Sequence, residues 1–400
     1  MYFDSLLFQI FSALIIYGIA FRVTICKISY QSKKMQIALT YQPKYHAYLN
    51  IMISAVCSVA IQLTCCASYP SINRVELFLY CSLVFSILSL FIIKPSTKAR
   101  LHVEQIISLI LKCLTTLTIV IAICIVLIIL FNAWPFFQEI PLNKFLLGAH
   151  WNPQTAELAG HKEISFGLLP LLGGTFLIAI IASIVALPIG LASSIYLAEF
   201  IHKPMKNLAR SCIELLAGVP TVVYGYFAAI IVGPKIRLVG KMMDLELSSE
   251  SALAAGVVMG IMIMPYITSL SEEVISSVPK ATKDAAMALG LTRSETILHI
   301  VLPIAAPGIA ASFLLALSRA IGETMIVAMA AGLSANMTLN PFESVTTITV
   351  QIVRLLLGDQ EYGTINTSAA FALALILFFI TFILSAIASG IISQYRKKYE

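Results

Sequence analysis

Apolar residues in this 400-residue chain come in long runs separated by short polar breaks. They do not follow the period of 3.6 or 2 that marks a helix or strand with one face in water. Nine runs can be drawn, over residues 5–21, 49–68, 75–93, 106–133, 168–198, 211–233, 251–270, 304–333 and 367–393. Most reach the roughly 18 to 20 residues that a helix needs to cross about 30 Å of hydrocarbon. In that medium each segment must satisfy its own backbone N–H and C=O groups, so every run is predicted to be an α-helix. The pattern therefore predicts an all-α polytopic membrane protein. Pro95-Ser96-Thr97-Lys98 is a polar break after the third run. A module boundary is placed there, with residues 1–94 as an N-terminal extension of three transmembrane helices. Residues 95–400 then form a unit of six transmembrane helices that contains a long polar loop at 271–303.

Composition agrees with a lipid solvent, since 59% of residues are hydrophobic and 12% charged, against about 25% charged in soluble domains. The net charge of +6 does not point to nucleic acid, because the 26 Lys and Arg residues lie in short clusters between the runs. Their placement orients the chain instead. Seventeen fall on one set of alternating loops, among them Lys33, Lys34, Lys203, Arg210, Lys280, Lys283 and Lys397, and seven on the other. The richer side is cytoplasmic, which puts the N-terminus outside and the C-terminus and the 271–303 loop in the cytoplasm. Met1-Tyr2-Phe3-Asp4 lacks the basic start of a secretory signal, so the first run is expected to stay as a membrane helix. Trp134 and Trp151 border the external loop and are expected to sit in an interfacial aromatic belt. The eight cysteines have no metal-ligand spacing; they are expected as small buried hydrophobes, and no metal site is expected.

The most informative motif lies in the cytoplasmic loop. Asp284-Ala285-Ala286-Met287-Ala288-Leu289-Gly290 is followed ten residues after the glycine by Ile300-Val301-Leu302-Pro303. Small Ala285 and Ala286 permit close approach of another protein, and Gly290 suits the left-handed conformation that ends a helix. Thr292 and Glu295 form a T-x-x-E capping box for a second helix, which is expected to end near Pro303. The segment resembles the E-A-A loop of the permease subunits of ATP-binding-cassette importers, with Asp284 in place of the usual Glu. The resemblance implies a type I permease core in which Asp284, Ala285, Ala286, Gly290, Ile300, Leu302 and Pro303 couple the membrane helices to a cytoplasmic ATPase.

Two further segments narrow the family. Arg319-Ala320-Ile321-Gly322-Glu323-Thr324-Met325 through Met329, and Gly218-Val219-Pro220-Thr221-Val222-Val223-Tyr224-Gly225, resemble signatures of phosphate importer permeases over about residues 105–395. That family implies transport of inorganic phosphate across a bacterial inner membrane by alternating access. It also implies a second permease of the PstA type, a cytoplasmic ATPase dimer of the PstB type and a periplasmic phosphate-binding protein of the PstS type. Arg319, Glu323 and Thr324 then belong to the translocation pathway. A charge in the bilayer costs about 2.5–3.5 kcal/mol even on the lenient insertion scale, so Arg319 and Glu323 must face protein or water. At i and i+4 they either form a structural ion pair, or Arg319 attracts an oxyanion in transit while Glu323 holds the guanidinium. Gly218 and Pro220 interrupt a run and, with Thr221 and Tyr224, form a candidate gate; tight helix packing is the other reading.

This chain has no G-x-x-x-x-G-K-[ST] loop, so it is expected to bind no cofactor itself, with ATP and magnesium on the partner ATPase and no catalytic residue here. Within the importer class the alternative is a molybdate, tungstate or sulfate permease. Outside it the alternative is an ion-coupled secondary transporter, which would show paired interrupted helices with intramembrane acids. One interrupted run is present.

Overall fold

The computed structural model describes residues 2–35, 42–68, 74–94, 98–153, 165–242, 248–357 and 364–399. The three N-terminal runs form helices α1 (Tyr2–Met35), α2 (Pro43–Ser68) and α3 (Arg74–Ile92), followed by α4 (Ala99–Glu139) and the short α5 (Leu142–Leu147). A two-residue antiparallel pairing joins β1 (Trp151–Asn152) to β2 (Ser165–Phe166). Next come α6 (Leu169–Ile195), α7 (Lys203–Gly218), α8 (Thr221–Phe227), α9 (Gly233–Met242) and α10 (Ala252–Ser277). The chain ends with α11 (Lys280–Ala288), α12 (Arg293–Thr296), α13 (Leu302–Ile321), α14 (Met325–Ala330), α15 (Ile348–Leu357) and α16 (Ile365–Tyr399). Wider π turns at Tyr196–Phe200, Ala228–Val232 and Ile297–Val301 extend α6, join α8 to α9 and join α12 to α13.

Six stretches among the described residues are long and apolar enough to cross a membrane: Ala99–Glu139, Leu169–Phe200, Thr221–Met242, Ala252–Ser277, Arg293–Ile321 and Ile365–Gln394. All six follow the third run; the first three runs, which the hydropathy pattern also predicts to cross, are not among them. The chain divides into two compact units, Met1–Ile123 and Cys124–Glu400. The division falls within α4, and residues 95–97, where the sequence places a break, lie outside the described residues.

The first unit is joined by polar side chains that the hydropathy pattern does not reveal. Asn50 on α2 donates to Thr24 Oγ1 on α1 at 2.8 Å and accepts from Ser89 on α3 at 2.5 Å, all of them buried. Lipid offers these groups no partner, so satisfying one another draws the three helices together. Lys27 Nζ donates to the carbonyl of Leu90 in the last turn of α3, a favourable place for a cation at a helix C-terminus.

The second unit is organised around α10, whose small residues let α6 approach closely. A Cβ on Gly260 would meet Val185 Cβ at 2.8 Å and the Ala182 carbonyl at 2.9 Å, while Gly190 lies against Ile267. In lipid, helix association rests on such close van der Waals contact. Gly260→Val is therefore expected to separate α6 from α10 at a cost of about 1–3 kcal/mol, the range for overpacking. The yield of folded protein after detergent extraction would report it, and an unchanged yield would show that the helices can shift without loss.

Four expectations change with the structure. The run at 211–233 is not one span: the chain breaks at Val219 and Pro220, and the crossing stretch is Thr221–Met242. Helix α7 before it carries Lys206, Arg210 and Glu214 at a spacing of four and, at 16 residues, is too short to cross. The run at 304–333 is divided by Gly322, Glu323 and Thr324. Trp151 leaves the interfacial belt for the core, where it packs on Phe166 and its indole donates to Gln351 Oε1 at 3.1 Å, whereas Trp134 stays exposed. None of the described cysteines is buried; Cys26, Cys113, Cys124 and Cys212 are exposed and Cys57 and Cys81 half-buried. An apolar thiol costs nothing facing acyl chains, so burial in protein is not required of it.

Candidate functional site

The loop predicted to couple the chain to a partner forms a helical hairpin, α11 and α12, around Gly290. Gly290 has φ of 93°, the left-handed region that residues with a Cβ adopt at a cost. Its N–H donates to the Met287 carbonyl at 3.0 Å and the Leu291 N–H to the Ala286 carbonyl at 3.3 Å, the pair of bonds of a Schellman cap. The next helix begins with both halves of a capping box: Glu295 N–H donates to Thr292 Oγ1 at 3.4 Å and Thr292 N–H to Glu295 Oε2 at 2.8 Å. One helix end and one helix start are thus satisfied within the ten residues from Ala286 to Glu295, which fixes the hairpin locally. Ala286 is buried, while Asp284, Ala285, Met287, Leu289 and Leu298 are exposed, with Leu289 at 84%. The tip of the hairpin is thus apolar and exposed, while the hydrogen bonds of its turn are made within the loop.

Pro303 does not end the second helix. The π turn at Ile297–Val301 precedes it and α13 continues to Ile321 with Pro303 in its first turn. In the wider turn the hydrogen bond that proline cannot donate is already displaced, so the chain stays helical through the ring. Ile300 and Leu302 are half-buried on this continuous helix.

Glu199, in the π turn ending α6, is held from both arms of the hairpin. Lys283 of α11 pairs with its carboxylate, and Arg293 of α12 donates to its backbone carbonyl while lying over the Phe200 ring at 5.1 Å. A second ionic group sits beside it. Lys206 and Arg210 of α7 both reach Glu272 Oε1 of α10 at 2.7 Å, and the Glu272 side chain is 2% exposed. Sequence reasoning missed both groups, although an acid at the end of an otherwise apolar run was a usable signal. A cavity of about 510 Å³ does not reach these residues, whereas one of about 730 Å³ is lined by Glu199, Lys206, Lys283, Asp284 and Arg293.

The candidate pathway residues gather at the break between α13 and α14, Arg319 near the end of α13 and Glu323 and Thr324 within the break. Arg319 is exposed near the end of α13, with its guanidinium over the Tyr266 ring of α10 at 4.2 Å, a cation–π contact. Glu323 does not hold it. α13 stops at Ile321, so the i,i+4 geometry the pair needs is lost, and the Glu323 carboxylate accepts from the N–H groups of Met325 at 3.1 Å and Ile326 at 3.5 Å. It caps α14, where a negative charge meets the positive helix end. The Glu323 carbonyl accepts from Thr349 Oγ1 at 2.9 Å, and Thr324 is half-buried beside it.

At the other break, Gly218 has open space where a side chain would lie, so tight packing does not account for it. Pro220 precedes α8, and Tyr224 donates its hydroxyl back to the Leu216 carbonyl at 2.9 Å, tying α8 to the end of α7. Tyr224 is 8% exposed and therefore shapes the elbow rather than lining an open path; Thr221 is half-buried. Gly225 lies against Met325 and Met329 of α14. The structure thus brings the two predicted segments, 218–225 and 319–329, into direct contact.

The model of the family described as binding-protein-dependent transport system inner membrane component matches residues 186–397. This chain belongs to that family. The probable ABC transporter permease protein YqgH of Bacillus subtilis is 31% identical to it over 240 residues, 60% of this chain and 74% of that protein. The phosphate transport system permease protein PstC of Xylella fastidiosa (strain Temecula1) is 31% identical over 300 residues, 69% of this chain and 89% of the relative. Among solved structures, inward-facing conformations of the MetNI methionine ABC transporter align with 56% of this chain and 94% of theirs, at 16% identity and a TM-score of 0.41.

In this permease the matched stretch contains the hairpin, both breaks, Arg319 and Glu323, while α1 to α5 precede it. Among the described residues no group of three or more His, Cys, Asp or Glu side chains is placed to hold a metal ion. What the two breaks bring together is a cation, hydroxyls and helix ends within a multi-pass membrane protein.

Proposed function

We propose that this chain is one of two permease subunits of an ATP-driven importer of inorganic phosphate in the bacterial inner membrane. The observation that carries the importer class is the self-satisfied hairpin at Asp284–Pro303, exposed at Leu289 and locked at Gly290. A cytoplasmic ATPase dimer docks on that tip and holds the ATP and magnesium. A second permease completes the pathway, and a periplasmic binding protein delivers the solute to the external loops. The N-terminus lies outside and the C-terminus in the cytoplasm. Residues 1–94 are an extension added to a six-helix core.

Phosphate is favoured over molybdate, tungstate or sulfate by the names of the relatives, and the residues around Arg319 suit the tetrahedral oxyanion class as a whole. The guanidinium is not neutralised by Glu323 and rests on an aromatic face, which leaves its donors free for a tetrahedral oxyanion. A contact of this kind is transient, as a conduit requires. Arg319→Gln is expected to lower phosphate uptake about fivefold, a loss near 1 kcal/mol, in proteoliposomes holding this chain with its second permease, ATPase and binding protein. Uptake that needs ATP and is not competed by molybdate or sulfate supports the reading. Competition by another oxyanion would move the substrate, and uptake without ATP would remove the importer class.

A further inference from the structure

We infer that Glu199 is the positioning residue through which the hairpin drives α6, and that α6 carries this movement to the break at Gly322–Thr324. The inference rests on the importer reading, in which an ATPase moves the hairpin.

The near end of the route is the double grip on Glu199. Lys283 and Arg293 lie on opposite sides of Gly290, so both arms of the hairpin hold one residue of another helix. The Lys283–Glu199 pair is mostly dry, with side chains 15% and 11% exposed, so water and salt screen it less than a surface pair, whereas the Arg293 contact is exposed. Beside it Ile195 and Ala198 pack on Ile275, Val278, Val301 and Ala305. A push on the hairpin therefore meets α6 through charge and through contact.

The middle of the route is stiff. Gly190, Gly256 and Gly260 bring α6 and α10 to backbone distance, and close-packed helices move as bodies rather than deforming. The slack lies in the π turns at Tyr196–Phe200 and Ile297–Val301, on either side of the grip. An extra residue per turn lets a helix end rotate without breaking its ladder.

At the far end of α6, Gly174 sits against the Thr346 carbonyl and Thr175 Oγ1 accepts from the Ile348 N–H at 3.2 Å. Thr349, one residue on, donates to the Glu323 carbonyl at 2.9 Å. Each of Thr175, Thr346 and Thr349 is buried. A movement of α6 along its axis is thereby handed to the residues that cap α14, against which Gly225 of the other break is packed.

The test compares phosphate ions moved per ATP hydrolysed in proteoliposomes of the complete complex, for wild type, Glu199→Gln, Lys283→Gln and the double variant. Each single variant is expected to lower the ratio about fivefold or more, the range of a typical coupling free energy between sites. The double variant is expected to lose no more than either single one, because both remove the same link. A role limited to holding the fold would lower uptake and hydrolysis together and leave the ratio intact, and that result overturns the inference. So do losses that simply add in the double variant. Wild-type complex that moves no phosphate with ATP overturns the functional reading first, and the inference with it.

Discussion

Gly290→Val is expected to cut coupled uptake at least severalfold while leaving the chain in the membrane. The glycine holds φ at 93° with nothing within 4 Å of where a Cβ would lie, so a new side chain meets no neighbour and the strain is confined to the backbone. Left-handed geometry costs a residue with a Cβ about 1–2 kcal/mol, and a β-branch adds to it. That is about 5- to 30-fold in the population of the native turn. The two bonds of the Schellman cap and the capping box behind it depend on this turn, and so does the spacing between Lys283 and Arg293. ATP hydrolysis that no longer rises with loaded binding protein, at normal levels of assembled complex, is the expected signature. Gly290→Asn, which tolerates the left-handed region, should retain most uptake. Equal loss in both variants would mean that the side chain, not the backbone, is what the partner rejects.

The hairpin shows what a linear sequence can carry. Gly290, Thr292 and Glu295 act on neighbours fewer than five residues away, so their roles follow from spacing alone, and the structure places each bond where the spacing put it. Four of the six crossing stretches were legible for a similar reason, since length and hydropathy are properties of a segment by itself, whereas Thr221–Met242 and Arg293–Ile321 are displaced from the runs at 211–233 and 304–333. Spacing misled where a helix end intervened. Arg319 and Glu323 are four apart, but Gly322 stops α13 between them and turns the carboxylate to the next helix. Pro303 misled in the opposite sense, because a π turn absorbs the missing donor and the helix runs on. The grip on Glu199 joins residues 84 and 94 apart, and the pairing of Trp151 with Gln351 spans 200. Such contacts are decided by which helices pack together, and no local pattern encodes that. The polar seam around Asn50 belongs to the same class: three unremarkable side chains become one network only after α1, α2 and α3 meet.

The largest expected loss of stability comes from stripping Glu272 of its cations. Its carboxylate is 2% exposed on α10, and Lys206 and Arg210 meet the same oxygen at 2.7 Å while remaining 27% and 48% exposed themselves. The three groups therefore differ in what their removal leaves behind. Glu272→Gln leaves two cations that can turn to water, so its cost should stay near that of a lost charged hydrogen bond, about 1.5–3 kcal/mol. Lys206→Met with Arg210→Met leaves a carboxylate in the interior without a counter-charge, for which about 3–5 kcal/mol is the usual penalty. Adding Glu272→Met to that pair should recover most of the loss, since an apolar side chain of similar size has no charge to desolvate. Thermal unfolding in detergent would rank the variants, with the double variant lowest and the triple above it. A triple variant no more stable than the double would mean that the three residues matter for shape, and that the charges holding α7 on α10 are incidental to it.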